Sequence, residues 1–108
     1  AGLLTGKYQD SVTPAGSRKT FTADLGGRTT QRVWPAVDAY SQIAAKHEVD
    51  IVHMSLAWCL TRPFMCSAIF GATRHAQLEH ILKTNDVVLS AECLGDIVEA
   101  HKSHPMPF

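Results

Sequence analysis

The residues best suited to chemistry form a turn of small side chains closed by an arginine, Gly71-Ala72-Thr73-Arg74, between an apolar run and a predicted helix. The first turn of a helix presents unpaired backbone N–H groups and the positive end of the helix dipole, and both attract anions. Arg74 adds a guanidinium that can bind two phosphate oxygens at once. The sequence therefore predicts a phosphate site over residues 69–77.

Apolar periodicity predicts four helices around this turn. The first begins at Thr30 or Trp34 and ends near His47, and an N-cap at Asp50 starts a second helix over 51–62, which should be buried on more than one face. A third helix is expected over 74–84, with Leu78, Ile81 and Leu82 on its inner side. Ser90 is the predicted N-cap of the last helix, which runs to about residue 101.

Between these helices the pattern predicts one clear parallel strand, the apolar run Met65 to Phe70. Residues 9–28 are rich in Gly, Pro, Ser and Thr and predict a long loop that could act as a lid or binding loop, and residues 105–108 form a tail. A lone parallel strand cannot complete a sheet. Either its partner strands lie in residues outside this sequence, or the chain is a small, mostly helical domain.

Composition excludes several functional classes. The 108 residues are 45% hydrophobic and carry no net formal charge, which indicates one soluble unit, or part of one, without a nucleic-acid or membrane partner. We expect no signal peptide. The odd number of cysteines, three, favours a reducing cytoplasm over a disulfide framework. The six histidines lack an obvious ligand spacing, so no metal site is expected.

Several short segments, in the right order and spacing, resemble the C-terminal third of an aldo-keto reductase. They include Gly-Leu-Leu-Thr-Gly-Lys-Tyr at 2–8, Ala57-Trp58, Arg62-Pro63, Gly71-Ala72-Thr73, Gln77-Leu78 and Leu89-Ser90. The most similar branch is the one related to the potassium-channel β-subunit and to Tas-like reductases. The resemblance implies an α/β fold, with residues 1–108 as the C-terminal part of a single (β/α)8 TIM barrel.

The same resemblance implies an oxidoreductase that reduces aldehydes or ketones by hydride transfer from NADPH. The catalytic Asp, Tyr, Lys and His of that family have no counterpart in this sequence, so we assign no catalytic residue and expect the segment alone to be inactive. What the resemblance assigns is contact with NADP(H), through Gly2, Leu3, Gly6 and Lys7 along the pyrophosphate and through Gly71, Ala72, Thr73, Arg74 and Gln77 around the adenosine 2′-phosphate.

The sequence departs from the family pattern where adenine is usually held. Ala76 and Ile81 stand in place of an acid and an amide, and neither side chain can form those hydrogen bonds. A second hypothesis therefore stays open: a catalytically inactive barrel fragment, or a β-subunit-like module that binds nucleotide or protein. Under both hypotheses the rest of a barrel, or self-association, is needed to cover exposed faces.

Overall fold

The computed structural model describes residues 2–108, apart from the side chain of Ser11, and is mostly helical. Four α-helices follow in chain order: α1 (Val33–Lys46), α2 (Ile51–Leu60), α3 (His75–Leu82) and α4 (Ala91–Ser103). Short 3₁₀ turns cover Leu3–Thr5, Gln9–Ser11, Arg18–Thr20 and Lys83–Asp86. All four predicted helices are confirmed, with ends that differ by a few residues.

α1 and α2 form a tight helical hairpin. α1 ends in a Schellman motif, in which the Val49 N–H donates to the Ala44 carbonyl (3.0 Å) and the Glu48 N–H donates to the Ala45 carbonyl (3.2 Å). This closure places Glu48 in the left-handed region at φ 52°, a position that favours glycine. α2 then begins at Asp50, whose carboxylate accepts the N–H groups of Val52 and His53, as predicted for an N-cap.

The main core lies where α1, α2 and α4 meet. Ala44, Met54, Cys93 and Ile97 are buried there. Six partly buried side chains surround them: Tyr40, Ile43, Val49, Ile51, Trp58 and Leu89. One face of α1 thus packs into the core, and Trp58 of α2 packs against it.

The chain differs from the prediction at residues 65–70. No residue among 2–108 belongs to a hydrogen-bonded strand, and Ile69 is 98% exposed. A parallel strand exists only through hydrogen bonds to neighbouring strands, and residues 2–108 supply none. The one clear parallel strand is thus not confirmed.

The predicted inner face of α3 is not buried among residues 2–108. Leu78 and Leu82 are 38% and 50% exposed, and no residue of α3 is buried. The 3.6-residue periodicity identified the apolar face correctly, but no other element within residues 2–108 covers it.

The long loop over residues 9–28 contains more order than its composition suggests. Two 3₁₀ turns interrupt it, and the side chains of Ser17 and Leu25 are buried. The Lys19 ammonium lies 6.0 Å from the centre of the Tyr8 ring, which brings part of the loop against the first residues of the chain. Among residues 2–108, no helix combines the length and the apolar character needed to cross a membrane.

Candidate functional site

The first segment of the predicted site is a tight turn over residues 2–8. Gly2 and Gly6 both take left-handed backbone angles, at φ 79° and 73°, on either side of the 3₁₀ turn. The Thr5 hydroxyl donates to the Gly2 carbonyl at 2.7 Å. Tyr8 is completely buried and anchors the turn. The Lys7 side chain folds back over Gly2. Its Nζ lies 3.2 Å from the point that a Cβ atom on residue 2 would occupy.

The second segment is the turn that leads into α3. The Gln77 side-chain oxygen accepts the backbone N–H groups of Thr73 (2.9 Å) and Arg74 (3.2 Å), and it also accepts the Thr73 hydroxyl (3.2 Å). Arg74 has extended backbone angles and an exposed side chain. Gln77 thus satisfies N–H groups that the sequence predicts to be free, and it fixes the shape of the turn.

The structure brings these two segments to one cleft of about 940 Å³. Seven of the nine predicted cofactor-binding residues line it: Gly2, Lys7, Gly71, Ala72, Thr73, Arg74 and Gln77. Leu3 and Gly6 belong to the same turn but do not line the cleft. Residues that lie more than sixty positions apart in the sequence therefore meet around one space.

A third part of the cleft wall comes from the long loop. Residues 14–18 line the cleft, and Arg18 joins Lys7 and Arg74 as a third cation. The Ser17 hydroxyl is buried in this wall without a hydrogen-bond partner among residues 2–108. Sequence reasoning identified the loop as a candidate lid but assigned none of its residues, although Ser17-Arg18 beside Gly16 offers the hydroxyl, cation and flexible backbone that phosphate binding requires.

The charge of the cleft suits an anion. Its described lining includes Lys7, Arg18 and Arg74 and no aspartate or glutamate. Gly71 and Thr73 line the cleft beside these cations, and Gln77 Oε1 already accepts the Thr73 N–H and hydroxyl. Opposite charge attracts an anionic ligand most strongly where water is partly excluded, as in a concave site.

The cleft lining includes the positions where the sequence departs from the family pattern. Ala76 and Ile81 line it together with His80, so two apolar side chains stand where an acid and an amide are usual. His80 Nε2 lies 3.2 Å from Asp50 Oδ1. Burial opposes ionisation of Asp50, but hydrogen bonds from the backbone N–H groups of His53 and Val52 and from His80 outweigh it and lower the Asp50 pKa.

The geometry describes a cationic cleft built by a glycine-rich turn, a loop and a helix start, as expected of a phosphate-bearing ligand site. The sequence model of the aldo/keto reductase family matches residues 1–102. The chain belongs to the aldo-keto reductase family. The fold of that family is a (β/α)8 barrel.

Individual relatives agree with this assignment. The chain is 34% identical over 106 residues to protein tas of Escherichia coli (strain K12), covering 98% of this chain and 31% of that protein. It is 32% identical over 110 residues to a probable voltage-gated potassium channel subunit beta of Arabidopsis thaliana, covering 97% and 34%. An aldo-keto reductase of Babesia bovis is 34% identical over 83 residues, covering 71% and 28%. The chain spans about a third of the length of these curated relatives.

Proposed function

We propose that residues 2–18 and 71–77 form the phosphate-binding part of an NADP(H) site in a carbonyl reductase. The observation that carries this proposal is the meeting of two sequence-distant segments, each predicted to contact the cofactor, around one cleft with three cations and no acidic residue in its described lining. In this arrangement Lys7 neutralises charge on the pyrophosphate, while Thr73 and Arg74 bind the adenosine 2′-phosphate.

The residues present fit the phosphates of the cofactor better than its base. Lys7, Arg18 and Arg74 supply positive charge for phosphate oxygens, and the Ser17 hydroxyl is buried in the wall beside them, unpaired among residues 2–108. Ala76 and Ile81 offer the adenine edge no hydrogen bond. We therefore expect affinity to depend mainly on charge and hence to fall as salt concentration rises.

When bound, NADPH would supply the hydride for reduction of a small aldehyde or ketone. This chain contributes binding and orientation, and we assign no catalytic residue to it. We also propose a cytoplasmic protein, since the three cysteines, Cys59, Cys66 and Cys93, are all free thiols.

A titration of NADPH and NADH into the intact protein, followed by cofactor fluorescence, tests this function. Arg74→Ala should lower the affinity for NADPH by about tenfold, the loss expected for one charge-assisted phosphate contact. The affinity for NADH should fall much less. Lys83→Ala is the matched control, because Lys83 is an exposed cation outside the cleft. An equal loss of affinity for both cofactors in Arg74→Ala would show that this residue does not contact the 2′-phosphate.

A second candidate function is a nucleotide-binding module without reductase activity that docks on another protein. The similarity to a potassium channel subunit beta favours it, as do the large exposed apolar side chains Phe64, Ile69 and Val88 (78%, 98% and 93% exposed). Oxidation of NADPH by the intact protein in the presence of aldehydes distinguishes the two. Tight NADPH binding without turnover supports the module.

A further inference from the structure

Two histidines and one aspartate form a cluster at the start of α2 that the proposed cofactor site does not use. The metal-binding atoms of Asp50, His53 and His80 all lie within 4.8 Å of one another. Asp50 caps α2 three residues before His53, and His80 reaches them from α3. The contact between α2 and α3 therefore brings together three potential ligands from two distant parts of the sequence.

Hydrogen bonds already fix two of these side chains in place. His53 Nε2 lies 2.7 Å from the backbone carbonyl of His80. A carbonyl can only accept, so Nε2 carries a proton, and in the neutral imidazole Nδ1 then keeps its lone pair. A ligating histidine usually donates its other N–H to a carbonyl or carboxylate in this way. The Asp50 carboxylate is likewise fixed by the two backbone N–H groups at the start of α2.

The third side chain completes the set. His80 Nε2 lies 3.2 Å from Asp50 Oδ1, close to the separation of about 3.3 Å between neighbouring ligands on a tetrahedral zinc ion with bonds of about 2.0 Å. The rings of His53 and His80 stack with centroids 4.4 Å and planes 28° apart. Because a metal–imidazole bond lies in the plane of the ring, binding one ion requires the two rings to rotate out of this stack. A metal ion would take the place of the hydrogen bond between His80 and Asp50.

A second group, His47, Glu92 and Asp96, has a similar composition but is already occupied by a cation. Lys46 Nζ lies 2.8 Å from Asp96 Oδ2 and 3.1 Å from Glu92 Oε1. Within the described chain, no lysine or arginine pairs with Asp50 in this manner; His80 is its sole ion-pair partner there. The Asp50 cluster is thus the one in which a divalent cation meets no competing ammonium.

We propose that Asp50, His53 and His80 bind one divalent transition metal of the zinc type, through the Asp50 carboxylate, His53 Nδ1 and a ring nitrogen of His80. Two imidazoles and a carboxylate suit zinc, and three protein ligands leave a fourth position for water or an anion. His80 also lines the cleft, so the proposed site lies beside it. The site does not depend on NADP(H) binding.

The test measures Zn²⁺ alone, in competition with a chromophoric chelator, on the intact protein after removal of metals and without cofactor. Wild-type protein should bind one equivalent. His53→Gln and His80→Gln should each lose at least about tenfold in affinity, and the side-chain amide introduced by His53→Gln can still donate to the backbone carbonyl of His80. His75→Gln is the matched control, because His75 is an exposed histidine of α3 outside both clusters.

Two further variants keep the result decisive. Asp50→Asn preserves an N-cap acceptor and weakens the ligand, so it carries the test if a histidine variant fails to fold, as judged by circular dichroism. His47→Gln probes the other cluster. The proposal is overturned if wild-type protein binds no zinc, if the Asp50-cluster variants bind zinc as tightly as wild type, or if only His47→Gln loses it.

Discussion

The side-chain oxygen of Gln77 lies 2.9 Å from the backbone nitrogen of Thr73, and this bond joins the glycine turn to the first turn of α3. The same oxygen accepts the N–H of Arg74 at 3.2 Å. Arg74 has no side-chain acceptor atom, so only the glutamine half of a reciprocal helix cap can exist here. Gln77 therefore holds the shape of the predicted phosphate site from within the helix.

This role of Gln77 predicts separate effects on stability and on binding. Gln77→Ala should lower the free energy of unfolding by about 1 kcal/mol, since it removes the acceptor of two backbone N–H groups. Gln77→Glu keeps that acceptor and places a negative charge at a helix start, so stability should be retained. The carboxylate of Gln77→Glu should nevertheless lower the affinity for NADPH, because it repels the phosphates of the cofactor. Urea unfolding and cofactor fluorescence measure the two effects, and equal destabilisation by both variants would contradict the capping role.

Glu48 predicts a gain in stability on substitution. Its backbone lies at φ 52°, where a side chain costs about 1 kcal/mol and glycine costs nothing. Glu48→Gly should therefore raise the free energy of unfolding by about 1 kcal/mol. The matched control is Glu79→Gly in the interior of α3, which should lower it by a similar amount. A destabilising Glu48→Gly, measured by urea unfolding, would show that the left-handed closure of α1 is incorrect.

The contact between α1 and α4 predicts a defined pH dependence. Hydrogen bonds from Lys46 and His47 hold the pKa of Asp96 below its usual value of 3.8, and Asp96 and Glu92 raise the Lys46 pKa above 10.5. The contribution of Asp96 is complete above pH 3.8 and is lost as the pH falls through the lowered pKa. That of Lys46 is complete below pH 10.5 and is lost as the pH rises through the raised pKa.

Asp96→Asn tests this dependence. It should destabilise the protein at neutral pH, and its difference from wild type should shrink in acid below pH 3.8. Glu99→Gln on the same helix is the control, because the described contacts of Glu99 pair it with Lys102 at the surface. Unfolding midpoints across pH provide the measurement, and a difference that stays constant in acid would rule out the proposed ionic contact.

Burial predicts unequal costs for two core-type substitutions. Met54 is 2% exposed among α1, α2 and α4, so Met54→Ala should cost about 2–5 kcal/mol. Leu82 is 50% exposed, so Leu82→Ala should cost less than about 1 kcal/mol in the 108-residue chain. Urea unfolding compares them. A Leu82→Ala cost that grows in a protein of the length of the relatives would show that further elements cover this face of α3.

The sequence predicted the helices well because their signals are local. Asp50 and Ser90 act as caps through hydrogen bonds to N–H groups two or three residues away, and the apolar spacing of α1 matches the face that packs into the core. The strand at Met65–Phe70 and the burial of the inner face of α3 are not confirmed, because strand pairing and burial depend on partners that a local pattern does not contain.

The candidate site divides in the same way. Residue types alone predicted an anion site at the turn 71–74, since a glycine turn and a helix start act over a few residues. Phosphate contact at residues 2–7 followed only from the resemblance to aldo-keto reductases, and phosphate binding at both turns stays a prediction. Only the tertiary structure decided that both turns line one cleft, that Arg18 and the Ser17 hydroxyl join them, and that His80 approaches Asp50 and His53. Such meetings depend on how helices pack across long stretches of chain, because side chains distant in sequence come together only when the core fixes the helices that carry them.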